Sequence, residues 1–521
     1  MFVHKTLLTK TIFSYIIVLV ILTLKIIGRA IMKKTLNRIA CLLAALILIT
    51  ACSGAGNGAD DDLSAAGGQD NTAVTPITET EPETEPPLTD GLGNPDLGGY
   101  EFRILSCLFG GEESAHRIMY EELTGNPVTD VLYQSKTSME DRFNVTIGYI
   151  EGGNEFGTQA TTRASITAGD DAFDIVMAHD GLTFDLAKAG LFYDMKKVEQ
   201  FDFTKPWWPD GAVTSLSLGG KLYCASSYIS YLGLHWTRAL MVNKDYADRM
   251  GLTIPYDMVR EGTWTLDAML SWIAGATVDT DGNGKITNTD DVAFCTGSQT
   301  TYCLQESLGI QPYPRDENGV PYIDLDVERI DTIAQKWRLL VESDDYMNGG
   351  GFGETLFVNG NYLICYGQIG DAYDIYRTTD MRYGFLSSPK GDEIQENYVN
   401  CCTDMPWAIP KTASGEQVNI IGTVCEAMSC YNYQHVLPAY YEVAMKARTA
   451  DTEQDAEMLQ LIADTRSISF AYSYGMAFNN ILADLQSGTR ETASYIKSSE
   501  KVAVKSLEKM IKTFEGFDDT P

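Results

Sequence analysis

The sequence predicts an α/β fold with a mainly parallel sheet, built on more than one domain or lobe. Two observations carry this expectation. Between residues 100 and 191, short apolar runs of strand character alternate with stretches of helical period, as in a sheet with crossover helices. The chain also has 521 residues, too many for one ordinary hydrophobic core. Its composition, 44% hydrophobic and 21% charged, is that of a soluble globular protein.

Residues 102–106 (Phe-Arg-Ile-Leu-Ser) read as the first strand. Residues 128–143 place Val131, Leu132, Ser135, Met139 and Phe143 at helical spacing. Residues 145–150 form the next strand, and a helix then leads to residues 173–178, apolar enough for a buried strand. Residues 187–191 continue a further helix, and 415–446 and 450–510 read as helical.

The start of the chain is an address. Residues 1–51 carry seven Lys/Arg and no Asp/Glu, and two apolar segments. The second segment begins Met32-Lys33-Lys34, continues through an apolar core and ends Ile49-Thr50-Ala51-Cys52. That is a signal peptide at 32–51. Its last four residues resemble a bacterial lipobox, which implies lipid attachment at Cys52. Residues 1–31 read as an upstream extension from a mis-assigned start, with a first transmembrane helix as the alternative. Residues 52–98 are rich in Gly, Asp, Thr, Pro and Glu and low in apolar side chains, so they read as a disordered acidic tether.

Formal net charge is −32, and beyond residue 51 it is −39, with 71 acids against 32 bases. Such a surface repels nucleic-acid phosphates, which argues against nucleic acid as a partner, and disfavours direct adsorption to anionic lipid. Nine cysteines remain beyond Cys52, an odd number without CxxC or paired zinc spacing. That argues against a disulfide framework, and Cys401, Cys402, Cys425 and Cys430 read as buried small hydrophobes.

Residues 279–290 have the pattern of a calcium loop. Asp279, Asp281, Asn283 and Asp290 supply oxygens at positions 1, 3, 5 and 12. Lys285 offers its carbonyl at position 7, Thr287 stands at position 9, and Gly284 permits the turn. Position 12 is Asp290 and not the usual Glu, so a second oxygen comes from Asp291 or water. A solvated acidic turn without metal is the alternative.

Several segments then resemble one family. Phe173-Asp174-Ile175-Val176-Met177-Ala178 followed by Leu186-Ala187-Lys188-Ala189-Gly190-Leu191 is similar to the "YDVV…DLAxxGxL" region of bacterial extracellular solute-binding proteins of the maltose-binding type. Gly219-Gly220-Lys221-Leu222-Tyr223 resembles "GKLYG", with Cys224 in place of the last Gly. Met241–Asp245, Thr263–Asp267, Phe357–Tyr362 and Tyr383–Gly391 resemble "xxYNKD", "TWDEL", "FxxGxxAM" and "YGxxPxPKG". The order and spacing across roughly 100–440 carry the match. The resemblance implies a type II periplasmic-binding-protein-like fold, two lobes joined by a multi-strand hinge. Lobe 1 is expected at 99–218 and 403–436, lobe 2 at 219–402 and 437–521. It implies the lipoprotein component of a carbohydrate ABC transporter, a monomer on the outer face of the cell membrane. Such a protein passes a mono- or oligosaccharide to membrane permease subunits. The calcium loop follows the "TWDEL" helix, as in other members, and becomes a structural calcium site in lobe 2.

Ligands of open α/β sheets gather beyond the carboxyl ends of strands. That rule selects Asp180, Tyr228, Tyr231, Asp371, Asp404 and Trp407. Trp208 and Trp236 join them as aromatic platforms, each weighed against packing between elements. For His179 a hydrogen-bonded loop residue is the commoner reading. No GxSxG, HExxH or phosphate loop occurs. A secreted carbohydrate-active enzyme, or a sensor or adhesion subunit on the same fold, are the rival readings.

Overall fold

The computed structural model describes residues 88–297, 300–349, 353–376, 379–445 and 452–517. The predicted signal peptide, Cys52 and tether residues 52–87 lie outside them. Strand β1 (Tyr100–Phe109) is the spine of the first sheet and buries Phe102, Ile104, Leu105 and Cys107. The short β2 (Glu112–Glu113) pairs with its end antiparallel. β3 (Val145–Asn154) and β4 (Ile175–Met177) flank it in parallel. The helix Pro127–Phe143 makes the crossover from β1 to β3. The Asn126 side chain caps its first turn, Pro127 occupies a position whose N–H has no helical partner, and Asn144 ends it at φ 52°.

The second sheet contains β5 (Arg238–Asn243), β6 (Val292–Thr296), β7 (Tyr346–Asn348), β8 (Tyr362–Gln368) and β9 (Tyr383–Leu386). Its order is β7-β6-β8-β5-β9. β6 runs parallel to both neighbours, while β5 is antiparallel to β8 and β9. Every residue of β5 and β6 is buried, as expected of strands covered on both faces. β10 (Asn400–Cys402) lies between the sheets, β11 (Trp407–Ala408) returns antiparallel to β4, and β12 (Arg466–Ile468) pairs in parallel with β10.

Two large hydrophobic cores follow the two sheets. The 30-residue helix Glu416–Met445 joins them, with Val424, Cys425 and Met428 in the first and Val436, Leu437 and Tyr440 in the second. Several boundaries differ from the sequence reading. Leu222 to Ile229 pack in the first core, so the chain leaves lobe 1 near Tyr231 and not at Gly219. Residues Phe470 to Met476 and Leu507 to Phe514 also pack there, inside the segment assigned to lobe 2. The region 450–510 is not one helical stretch, because β12 interrupts it. The helix around residue 187 ends at Lys188.

The end of the predicted tether is docked. Arg142 grips the Asp90 carboxylate through both terminal nitrogens, at 2.6 and 2.8 Å, while Leu92 and Leu97 pack against the first core. All nine cysteines beyond Cys52 are buried. Among the described residues, no helix is long and apolar enough to cross a membrane.

Candidate functional site

The loops at the seam between the two cores converge on a small crevice. Phe109 ends β1, and His179 and Asp180 follow β4; the rings of Phe109 and His179 are 5.1 Å apart. Asp180 starts a helix. Its Oδ1 accepts the Gly181 N–H at 2.6 Å and lies 3.0 Å from His179 Nδ1. The crevice is lined by Asp180, Phe184, Thr403, Asp404, Ile468 and Tyr472, with a cavity of about 10 Å³. That volume admits roughly one water.

Two predicted residues, Asp180 and Asp404, are thus brought together. Burial pushes the Asp404 carboxyl up to about 6, against the opposing hydrogen bond from Ser226 Oγ. Burial likewise raises Asp180, with the His179 ring opposing. Trp236 stands half-buried at the edge, its ring 5.9 Å from Phe109. Asp371 comes from the second lobe, and its Oδ2 accepts the Gln368 N–H at 3.0 Å.

The other predicted contacts are core residues. Trp208 and Trp407 are each 1% exposed and packed 6.1 Å apart. Trp208 Nε1 donates to Glu426 and Trp407 Nε1 to Ser227, so neither ring presents a face to a solute. Tyr228 is buried against the Arg466 guanidinium, and the buried Tyr231 hydroxyl accepts from Arg117. Strand ends were the selecting rule, and these side chains point inward from them.

Four residues at or beside the seam escaped sequence reasoning. Tyr302 and Tyr472 stack face to face at 4.0 Å with 3° between planes. Arg238 and Arg466 open β5 and β12. The resemblance to "xxYNKD" marks the end of β5 and gives no signal for its first residue. A larger cavity of about 220 Å³ also borders Ile468, with Ser215, Glu306, Gln311, Arg315 and Phe470 in its wall. Burial pushes the Glu306 carboxyl up to about 7.

The acidic loop forms a separate site. Oxygens of Asp279, Asp281 and Asp290 lie within 4.8 Å of one another. Bonds of about 2.3–2.6 Å to a shared calcium span that distance, and an all-oxygen donor set suits a hard cation. Asp279 is held by the Gly282 and Gly284 N–H groups at 2.8 and 2.7 Å, and Gly284 adopts φ 77°. Asp290 accepts from the backbone N–H groups of Thr287 and Thr280. Asp291 pairs with Arg249. Ile286 packs against the second core.

The sequence profile of the bacterial extracellular solute-binding proteins matches residues 135–419. No curated protein matches the sequence. Among solved structures, a sugar transporter of Rhizobium etli in an open conformation is 12% identical, with 81% of this chain and 100% of that chain covered at a TM-score of 0.50. UgpB of Mycobacterium tuberculosis in complex with glycerophosphocholine is 14% identical over 79% and 99%, with a TM-score of 0.49. The maltose/maltodextrin-binding domain MalE of Bdellovibrio bacteriovorus bound to maltotriose is 13% identical over 80% and 98%, at 0.45. Identities this low speak to the fold, which is the two-lobed type II periplasmic-binding-protein-like architecture. The profile covers more than half of the chain, and the chain belongs to the bacterial extracellular solute-binding protein family.

Proposed function

We propose that this protein captures a mono- or oligosaccharide in the seam between its lobes and delivers it to an ABC import permease. The observation that supports this most is the arrangement of the crevice. It holds the carboxyls of Asp180 and Asp404 and the ring of Tyr472, on which Tyr302 from the segment after β6 stacks, at a junction made of β10, β12 and one long helix. Carboxyls hydrogen-bond sugar hydroxyls, and aromatic faces cover the sugar's C–H surface. Closure of the lobes around solute shifts an open–closed equilibrium, and the closed form docks on the permease.

Cys52 carries the lipid that holds the monomer at the outer face of the membrane, and the acidic segment after it spaces the lobes from the surface. Calcium held by Asp279, Asp281, Asn283, Lys285, Thr287 and Asp290 is a structural clamp in this reading. The test is a thermal-shift screen of the purified full chain against oligosaccharides, amino acids and peptides. Stabilisation by one glycan class is expected, and none by any glycan would refute the sugar assignment. Hydrolysis of a glycan, abolished by one carboxylate substitution, would replace the binder with an enzyme. Cys52→Ser should release the protein from the membrane fraction.

A further inference from the structure

The seam contains two guanidinium groups without a salt-bridge partner, with Asp371 acting on Arg238 and Asp404 on Arg466 only from a longer distance. Arg238 is 8% exposed, and its one hydrogen bond goes from Nη1 to the Trp236 carbonyl at 3.0 Å. Arg466 is 1% exposed, and none of its three side-chain nitrogens has a hydrogen-bond partner. Its guanidinium lies over the Tyr228 ring, 4.8 Å from the centroid. No carboxylate among the described residues forms an ion pair with either. Both cations act on Cys402, which ends β10 and lines the crevice.

Acids are abundant in this chain, 71 against 39 bases, so the missing partner is not a matter of supply. Several other arginines are paired, Arg103 with Asp174, Arg329 with Asp392 and Arg382 with Asp245. The carboxyls at the seam are tied into their own loops. Asp404 bonds Ser226 and the Met405 N–H, Asp180 the Gly181 N–H, and Asp371 the Gln368 N–H. A buried guanidinium without an acceptor is costly, and such groups persist where an acceptor arrives from elsewhere.

We propose that the solute carries an oxyanion, a carboxylate or a phosphate, and that Arg238 binds it while Arg466 supplies supporting positive charge. The planar fork of an arginine matches either group with two parallel N–H···O bonds. Tyr302 and Tyr472, stacked across the seam, flank the same space, and Arg238 acts on both rings. The inference rests on the solute-binding reading and narrows it to acidic solutes.

The experiment is calorimetric titration of the purified full chain with four probe sets. These are neutral oligosaccharides, oligouronides, the methyl esters of those oligouronides, and sugar phosphates. Binding of oligouronides with loss on esterification assigns a carboxylate, and binding of sugar phosphates assigns a phosphate. Arg238→Met should weaken the bound anion roughly 100-fold, as expected for truncating one side of a buried charge contact. Arg238→Lys should restore part of that loss. Binding of neutral oligosaccharides in preference to acidic ones overturns the oxyanion and leaves the solute-binding reading standing. With acetate and inorganic phosphate added as a fifth probe set, their binding without a sugar supports the oxyanion and refutes the sugar. The ester comparison uses the unaltered protein, so it decides the matter even if Arg238→Met does not fold.

Discussion

The ionic groups Glu426, Lys244 and Asp455 inside the lobes and the buried Arg466 at the seam are treated in opposite ways. In the first lobe, Glu426 on the helix Glu416–Met445 accepts Trp207 Nε1 and Trp208 Nε1, each at 2.8 Å. In the second, Lys244 and Asp455 form an ion pair at 2.6 Å with side chains 3% and 0% exposed, and the Tyr256 hydroxyl adds a bond at 2.8 Å. At the seam, Arg466 is as deeply buried and its side-chain nitrogens have no hydrogen-bond partner. Interiors that must stay shut satisfy their polar groups. A surface that closes over a guest leaves some for the guest.

The largest effect is expected from breaking the interior pair. Asp455→Ala strands the Lys244 ammonium in the second core and should cost about 3–5 kcal/mol, measured by urea unfolding. Glu426→Leu leaves two buried indole N–H groups without an acceptor and should cost about 2–4 kcal/mol. A loss under about 1 kcal/mol in either would show that the interior is not held by these contacts. Arg466→Met is the contrasting variant. Removing a buried charge without an acceptor should leave stability unchanged or raise it by about 1–2 kcal/mol. A loss as large as that of Asp455→Ala would mean that Arg466 has a partner, and the contrast would fail.

The pH dependence sharpens the same comparison. Burial pushes the Glu426 carboxyl up to about 7 from its ordinary 4.5, with both indole bonds opposing. The native state then binds more protons than the unfolded state between those values, so this group's contribution falls as pH rises from about 4.5 to about 7. Glu426→Gln should remove that part of the slope. An unchanged difference between pH 5 and pH 7.5 would place the titrating group elsewhere.

The sequence revealed what rests on periodicity and on local motifs. Strands β1, β3 and β4 and the helix Pro127–Phe143 follow from apolar spacing, and the "TWDEL" likeness falls at a helix start that Thr265 caps by accepting the Ala268 N–H. Asp180 lines the crevice because a strand end places it there. What stayed hidden depends on distant partners. β12 is three residues long and exists because β10 pairs with it, 66 residues earlier in register from Arg466 to Asn400. Its loss from the sequence reading took Arg466 and Tyr472 with it. Trp208 and Trp407 were misjudged for the converse reason: their indoles bond Glu426 and Ser227, contacts that no local pattern announces. Asp90 belongs to a segment of disordered composition, and one arginine 52 residues away fixes it.

The smallest effect on solute binding is expected at the acidic loop, and the geometry says why. Asp290 stands two residues before β6, and Tyr302 follows the strand's other end, so the five residues of β6 separate loop from seam. At about 3.3 Å per residue, that is a rigid spacing of roughly 16 Å, with both strand neighbours hydrogen-bonded in parallel. The loop's own ties run to the second lobe: Asn361 Nδ2 donates to the Asp290 carbonyl at 2.6 Å, and Val278 bridges Asp291. Asp279→Ala should therefore lower the melting temperature in calcium, lower it less in EGTA, and leave solute affinity within about twofold, as for sites that share no partners. A large affinity loss with unchanged melting would mean that the loop reaches the seam through β6, and that the division between satisfied interior and open seam does not hold in the second lobe.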